Sequence, residues 1–304
     1  EARSTVAAAK PAPAVSRAIA GAHTVSSGDT LFSLGRKYNG SPYAIADVGV
    51  AHVPVAIGLP AGRMRGGAHG WTCFMRECFV DEAAQRHERE PLSYRIAMLG
   101  REPRLVACLQ AAARAAQWDG GAPGTGQGLA CHVMQLGGAV GRIALVASAT
   151  RGEGGVRVTR LSAAVDIGRV VNRDIALQQI EGGLVFGLGL ALGSATEYVE
   201  GLPTHQRLAA LALPVLADCP EITVELLASD AEPFDPGEIG VPAVAPAVAN
   251  ALFSAIGLRL RRLAENLLLN NTVHGARHAV LRTLVEEVGE SCNITALSGS
   301  EVLY

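Results

Sequence analysis

Apolar residues recur at helical spacing over several stretches of the chain and as short runs over others. From Trp71 to Glu88 the apolar residues Phe74, Cys78, Val80 and Ala84 fall near one face, which predicts an amphipathic helix. The same kind of pattern predicts further helices over 91–99, 104–118, 174–192 and 243–256. Short apolar runs bounded by Gly, Pro and polar residues predict strands over 43–54, 128–136, 143–149, 156–165, 196–199 and 222–227, with 151–155 as a hairpin connection.

Composition and charge narrow the function classes. The chain has 304 residues, of which 49% are apolar and 18% charged, so it has enough material for a substantial core. Its net charge is −2 and it has no basic tract, which argues against nucleic-acid binding. The longest apolar run, 182–193, is short and rich in glycine, so no membrane span is expected.

The spacing of the six cysteines does not indicate a known kind of cysteine site. None of them is in C-x-x-C spacing and no iron–sulfur pattern exists, which favours free thiols in a reducing compartment. The chain begins with Glu1, which predicts a processed chain or a fragment.

A glycine- and proline-rich segment, 237–242, carries a single carboxylate, Glu238, directly before the helix predicted at 243–256. Gly237 and Gly240 have no side chain, so the backbone of this loop can approach a ligand closely. The N-terminus of the following helix offers free N–H groups. Taken alone, a glutamate in such a loop is more often an ion-pair or capping residue than a catalyst.

Two further segments complete a pattern. The first runs from Asp166 to Asn172 and continues in Gln178-Gln179-Ile180-Glu181-Gly182-Gly183; the second is 62–69, followed by 77–84. In this order and spacing the three segments resemble the molybdenum-binding half of the xanthine dehydrogenase/aldehyde oxidase family, and most closely the large subunit of isoquinoline 1-oxidoreductase-type enzymes. The resemblance covers about 42–263 and implies an α+β fold with mixed sheets and packed helices, as in the second half of the molybdenum-binding domain.

The resemblance also implies a reaction and a cofactor. It implies oxidative hydroxylation of an N-heterocycle or aldehyde, with Glu238 as the base that takes up a proton. It implies a molybdopterin cofactor in its cytosine dinucleotide form, whose own sulfurs hold the metal, so that no side chain of this chain is expected to be a metal ligand. Gln179 matches the glutamine that hydrogen-bonds the pterin. The other expected cofactor contacts are Met64, Arg65, Gly66, Gly67 and Gly237.

The sequence departs from the family pattern at Ala68, where a glycine is common, and at Met64, where an aromatic residue is common. His69 and His132 each lack a partner at ligand spacing, which favours surface or packing histidines over metal ligands. The triplet Gly124, Gly126 and Gly128 lacks the strand–loop–helix context of a nucleotide-binding loop.

Two modules of the resembled enzymes have no counterpart in this sequence. The partners expected are therefore a [2Fe-2S] small subunit, the missing N-terminal half of the molybdenum domain and a small-molecule substrate, and the chain is expected to be inactive alone. A cytoplasmic or periplasmic bacterial location fits such an enzyme, and the sequence does not choose between the two.

The two ends change character. Residues 1–21 indicate a linker or tail, 22–40 resemble a partial lysin motif, and 264–304 resemble a partial effector-binding domain of isocitrate-lyase-regulator-type transcription factors. A composite chain with 42–263 as its molybdopterin-binding part is therefore expected. The alternative functions are a cell-wall (peptidoglycan) binding protein and a fragment of a small-molecule-sensing regulator.

Overall fold

The structure is a computed structural model of the chain. It describes residues 41–45, 64–121, 124, 126–152, 155–193, 198–199, 202–203, 207, 210–211, 213–257, 259, 296–298 and 301–303. The predicted linker, the partial lysin motif at 22–40 and most of 264–304 lie outside these residues.

The described residues alternate between helices and strands. The helices are α1 His69–Arg86, α2 Pro91–Met98, α3 Pro103–Ala116, α4 Arg173–Leu192 and α5 Val244–Ile256, with a 3-10 turn at Leu216–Asp218. The strands are β1 Gln127–Leu136, β2 Ala139–Gly152, β3 Gly155–Asp166, β4 Tyr198–Val199, β5 Leu202–Pro203, β6 Glu221–Leu226, β7 Ala296–Ser298 and β8 Glu301–Leu303.

A four-stranded sheet in the order β1-β2-β3-β6 organises the body. The first three strands are antiparallel neighbours, and β6 pairs with β3 in parallel, with Ala163 opposite Val224. The parallel pair arises because the chain crosses over from β3 to β6 by way of α4. The strand pairs β4–β5 and β7–β8 form separate small antiparallel sheets.

Both faces of the main sheet are buried. Along β1, Ala130 and Met134 point into one hydrophobic cluster, while Leu129, Cys131 and Val133 point into another. Helices α4 and α5 supply residues to the first cluster and α3 supplies residues to the second, so the sheet lies between helices. Helix α1 contributes to both clusters, through Phe74 and Cys78 on one side and Val80 on the other.

Among the described residues, side chains and not a further strand satisfy the outer edge of β1. Glu77 accepts a hydrogen bond from the Cys131 N–H at 3.2 Å, and Arg76 donates to the Cys131 carbonyl at 3.3 Å. Asn250 of α5 donates to the Leu129 carbonyl at 2.9 Å. These contacts prevent the edge from offering unpaired backbone groups to a further strand.

The predicted α+β class is confirmed, and the long elements are found within a few residues of their predicted bounds. The strand predicted over 43–54 is not present in 43–45, and its remainder lies outside the described residues. Helix α4 is longer than its apolar run indicated. By length and composition it could cross a membrane, a test that buried core helices also pass. Here Ile180, Leu184 and Leu188 are fully buried against the core.

Candidate functional site

Arg65 connects all three segments singled out in the sequence. Its Nε donates to the Gly237 carbonyl at 2.7 Å, and its Nη2 donates to the Gln179 carbonyl at 2.9 Å. A guanidinium has several donors in a fixed fork, so one side chain can hold two carbonyls in a set relation. Arg65 therefore joins the turn before α1, the middle of α4 and the loop before α5.

Glycines let these segments approach each other at backbone distance. A Cβ on Gly240 would lie 2.5 Å from the Ile180 carbonyl oxygen, and one on Gly183 would lie 3.1 Å from the Gly240 Cα. A Cβ on Gly66, where φ is +88°, would lie 2.8 Å from Cγ1 of Val241. The loop before α5 is therefore packed directly on α4 and on the turn before α1.

Glu238 lies in a tight turn whose neighbours are anchored in the core. Ile239 is 0% exposed and Val241 is 2% exposed, and the Val241 N–H donates to the Glu238 carbonyl at 3.1 Å. Glu238 itself is half-buried. The turn thus fixes the backbone of Glu238.

The remaining predicted site residues lie around these contacts. Gln179 is exposed, and its Oε1 lies 3.9 Å from the place where a Cβ on Gly237 would be. Met64 is half exposed, and its carbonyl accepts from the Gly67 N–H at 2.9 Å. No heavy atom of the described residues lies within 4 Å of a Cβ built on Gly67, so they leave open space beside this turn.

The residues predicted from the sequence therefore share one open surface. We call it the site surface; it consists of Met64, Arg65, Gly66, Gly67, Gln179, Gly237 and Glu238. Their common location is a property of the structure, whereas the catalytic and binding roles assigned to them stay predictions.

Sequence reasoning missed a histidine pair next to this surface. His69 and His132 are buried, and Nε2 of His132 lies 2.9 Å from Nδ1 of His69. Nη2 of Arg76 lies 2.9 Å from Nδ1 of His132. Neither histidine is a surface residue, and each has a partner far away in sequence. Only the pairing of α1 with β1 brings them together, so no local spacing could have indicated it.

A group of buried charged side chains that pair with one another lies further along α1. Glu77 is 0% exposed and accepts from Tyr43, Arg76 and Arg95, at 2.9–3.2 Å for the shortest contacts. Arg95 also reaches Asp81 at 3.3 Å. Burial opposes the charge of Arg95, but Tyr43, Glu77 and Asp81 raise its pKa above the ordinary value. We call Tyr43, Arg76, Glu77, Asp81 and Arg95 the buried network.

A cavity of about 220 Å³ lies elsewhere, at the C-terminal end of α5. Its walls include Trp118, Asn250 and Phe253, and none of the site-surface residues. Among the described residues, no group of three or more His, Cys, Asp or Glu side chains is placed to hold a metal ion.

Comparison with known proteins identifies the body. Residues 121–220 match the family model for the molybdopterin cofactor-binding domain. This chain contains a molybdopterin cofactor-binding domain. The domain is of the type found in the xanthine dehydrogenase/aldehyde oxidase family. Gln179 lies inside the matched residues, while Arg65 and Glu238 lie outside them.

The curated relatives extend beyond the matched domain. The chain is 33% identical over 220 residues to a membrane-bound aldehyde dehydrogenase (pyrroloquinoline-quinone) of Gluconacetobacter polyoxogenes, covering 66% of this chain and 28% of that protein. It is 30% identical over 202 residues to isoquinoline 1-oxidoreductase subunit beta of Brevundimonas diminuta, covering 66% and 26%. The chain thus spans about a quarter of the length of these relatives.

A solved structure and a shorter match complete the comparison. Aldehyde oxidoreductase from Desulfovibrio gigas superposes with a TM-score of 0.52 at 14% identity, over 68% of this chain and 41% of that chain, which shows a shared fold. A stretch of 46 residues is 50% identical to a probable transcriptional regulator, SauR, of Cupriavidus necator, covering 15% of this chain and 18% of that protein.

Proposed function

We propose that the chain is one part of a molybdenum hydroxylase that oxidatively hydroxylates an aldehyde or an N-heterocycle. The observation that carries the proposal is the convergence of Arg65, Gln179 and Glu238 on one surface of a molybdopterin-binding domain. The names of the relatives, an aldehyde dehydrogenase and an isoquinoline oxidoreductase, support this substrate class.

The geometry of the site surface fits a flat polar cofactor. Gly67 leaves open space beside the turn, and the exposed Gln179 amide can both donate and accept hydrogen bonds. Arg65 holds the carbonyls of Gly237 and Gln179 and so fixes the spacing between the two segments that would flank the cofactor. Met64 and Gly66 complete the proposed contacts, and the cytosine dinucleotide form is the proposed variant.

In the reaction, the bound molybdenum cofactor supplies the oxygen transfer and accepts the electrons. The chain supplies the proton handling and the positioning. Glu238 is the proposed base, because it is the single carboxylate of a turn that is fixed on both sides by buried residues. Gln179 is proposed to orient the pterin by hydrogen bonding.

The proposed partners are a [2Fe-2S] subunit and the rest of the molybdenum-binding domain. The relatives are about four times as long as the stretch matched here, and one of them is named as a subunit. Next to the site surface, α4 exposes a stripe of Ile175, Gln179, Gly182 and Phe186 at helical spacing. We propose that the rest of the domain covers this stripe.

The deciding experiment measures the cofactor. The full chain, purified together with the missing part of the domain, should carry stoichiometric molybdenum and pterin. Because one relative is named for pyrroloquinoline quinone, the same sample should be analysed for that quinone. Quinone without molybdenum would contradict the proposal.

A pair of substitutions separates the two proposed roles. Glu238→Gln keeps the shape of the side chain but cannot accept the proton, so turnover should fall by about 10²–10⁴-fold with cofactor content unchanged. Gln179→Ala should lower cofactor retention first. Loss of the cofactor in Glu238→Gln, or turnover near the wild-type level, would make Glu238 a structural residue of the loop.

The ends of the chain allow a second interpretation. The 46-residue match to a transcriptional regulator favours the idea that part of the chain derives from a ligand-sensing domain, and we propose 264–304 for that part. Residues 22–40 stay a proposed partial lysin motif. Binding of the full chain to purified peptidoglycan would support a cell-wall function instead of the enzymatic one.

A further inference from the structure

The histidine pair ties the beginning of α1 to strand β1. His69 is the first residue of α1 and is 5% exposed; His132 lies within β1 and is 2% exposed. The two imidazoles meet at 2.9 Å, through Nδ1 of His69 and Nε2 of His132. Nothing in the proposed reaction uses either ring.

The contact with Arg76 fixes where the protons are. A guanidinium only donates, so Nδ1 of His132 must accept from Arg76 Nη2. His132 therefore carries its proton on Nε2 and donates to Nδ1 of His69. It follows that Nδ1 of His69 is an acceptor and that His69 carries its own proton on Nε2. One arginine thus sets the tautomer of both rings.

The pair is connected to the site surface through the backbone of a short turn. The His69 N–H donates to the Gly66 carbonyl at 3.1 Å, and the Gly67 N–H donates to the Met64 carbonyl at 2.9 Å. Arg65, in the same turn, holds the carbonyls of Gly237 and Gln179. A displacement of His69 would therefore be transmitted to the loop that carries Glu238.

We propose that His69 and His132 are positioning residues that hold the Met64–Gly67 turn in the geometry that cofactor binding requires. The link to the cofactor rests on the proposed function, whereas the link to the turn does not. The role depends on one ring donating to the other, so an isosteric side chain with the same donor and acceptor should replace a histidine, and an apolar one should not.

The arrangement also makes the turn sensitive to acid. A second proton on either ring would set two donors against each other, since His132 cannot turn away from Arg76 without losing that contact. The described residues place Arg76 and, through it, Glu77 beside the pair. The Cys73 and Cys131 thiols nearby are neutral, since burial raises their pKa. Burial, Arg76 and His69 lower the pKa of His132 well below 6.5.

The lowered pKa of His132 determines how stability changes with pH. Above about pH 6.5 His132 is neutral in both the folded and the unfolded chain. As the pH falls below that value, the unfolded chain binds a proton that the folded chain resists. Stability is therefore lost between about pH 6.5 and the lower folded pKa, and it is not regained on further acidification.

The first test reads the protons directly. Long-range proton–nitrogen correlation spectra of the ¹⁵N-labelled full chain, recorded from about pH 7.5 to 5.5, report the tautomer and charge of each imidazole. His69 and His132, assigned from single variants, should both be Nε2-protonated and neutral at about pH 6. A proton on Nδ1 of either ring at that pH would overturn the proposal.

The second test asks whether the pair holds the turn. Amide exchange at Gly66–Thr72 should become about tenfold faster in His69→Leu, the effect of losing a buried hydrogen bond. In His69→Gln, which retains an acceptor towards His132, exchange should stay near the wild-type rate. His87→Leu, at the other end of α1, is the matched control and should leave these amides unchanged. Equal exchange in the Leu and Gln variants would mean that the ring only fills space.

The proposed function and the positioning role of the histidine pair are contradicted by different results. Pterin retained by the assembled protein should fall in His69→Leu and recover in His69→Gln. If the wild-type protein retains no pterin, the proposed function is wrong, while the spectra and the exchange rates still decide the role of the pair. If pterin is retained equally by all three proteins, the positioning role is wrong although the proposed function stands.

Discussion

The site surface and the buried network both contact α1, but they satisfy polar groups in opposite ways. In the buried network, Glu77 and Arg95 are 0% exposed and charge meets charge inside the protein. In the site surface, Arg65 binds two backbone carbonyls, while the Gln179 side chain lies exposed and Glu238 is half-buried. In the buried network the polar side chains contact each other inside the protein. In the site surface a side chain contacts backbone carbonyls, and other side chains lie at the surface.

The difference indicates that the buried network and the site surface have different roles. Burying charges carries a large desolvation cost, so a buried ion pair tolerates no missing partner. An exposed amide such as that of Gln179 carries little such cost. The buried network therefore fixes α1 against β1 and α2, whereas the site surface keeps polar side chains at the protein surface.

The largest effect is expected from breaking the buried network. Arg95→Ala removes a fully buried arginine from Glu77, which keeps Tyr43 and Arg76, and from Asp81, which keeps Arg259. Breaking these buried ion pairs should cost about 3–5 kcal/mol in the free energy of unfolding. The matched control is Arg114→Ala, which removes an exposed pair with Glu225 at 3.9 Å and should cost less than about 1 kcal/mol. Urea unfolding of both variants gives the comparison. Similar losses of unfolding free energy in the two variants would mean that Arg95 contributes no more to stability than an exposed arginine.

The backbone contacts of the site surface should be nearly as sensitive. Gly240→Ala places a Cβ 2.5 Å from the Ile180 carbonyl oxygen and 2.9 Å from the Leu184 nitrogen, both of them backbone atoms of α4. Overpacking of this kind costs about 1–3 kcal/mol. Gly70→Ala, where no atom lies within 4 Å of the new Cβ, should cause no loss. If Gly240→Ala unfolds like the wild type, the loop does not pack on α4 as described.

Removing the side chain that links the site surface should have a smaller, local effect. Arg65→Ala loses two charge-assisted hydrogen bonds, but at a half-exposed position, so global stability should fall by only about 1 kcal/mol. Amide exchange at Gly237–Val241 should rise clearly, since the Gly237 carbonyl loses its donor. Arg65→Lys keeps the positive charge but lacks the guanidinium fork, so its amide exchange rates should lie between those of the wild type and of Arg65→Ala. Unchanged exchange in Arg65→Ala would show that the glycine contacts alone hold the loop.

Much of this comparison was accessible from the sequence. The helical spacing of apolar residues over 71–88 and the apolar run over 128–136 predicted α1 and β1 well, because both elements bury most of their apolar residues in the core. The segment 237–242 was singled out from its glycines and its single carboxylate, and the other two segments of the site surface from their resemblance to the molybdenum-binding family. Their roles stay predictions, since no bound group reports on them.

The long-range polar partners were not accessible. Glu77, Arg95 and Tyr43 are separated by up to 52 residues in sequence, as the numbering of Tyr43 and Arg95 shows, and charges on helices are normally solvated. The pairing of His69 with His132 likewise depends on the register of α1 against β1. Local patterns specify elements and turns, whereas contacts between elements require the packed structure.

The smallest effect concerns reagent access and involves no loss of stability. Cys73, Cys78, Cys108 and Cys131 are buried, and burial raises the pKa of Cys78 and of Cys108 to about 12. Since the thiolate is the reactive form, these residues should alkylate slowly at about pH 8.

Cys219, which is half-buried near the 3-10 turn, should therefore react with iodoacetamide first, about a hundredfold faster than the four buried thiols. Peptide mass mapping of the native chain separates the sites and leaves Cys292, which lies outside the described residues, out of the comparison. Labelling in urea is the control, because unfolding should make the five rates converge. If Cys73 or Cys131 reacted as fast as Cys219 in the native chain, the region around Glu77 would open readily, and the contrast between a closed network and an open site surface would be wrong.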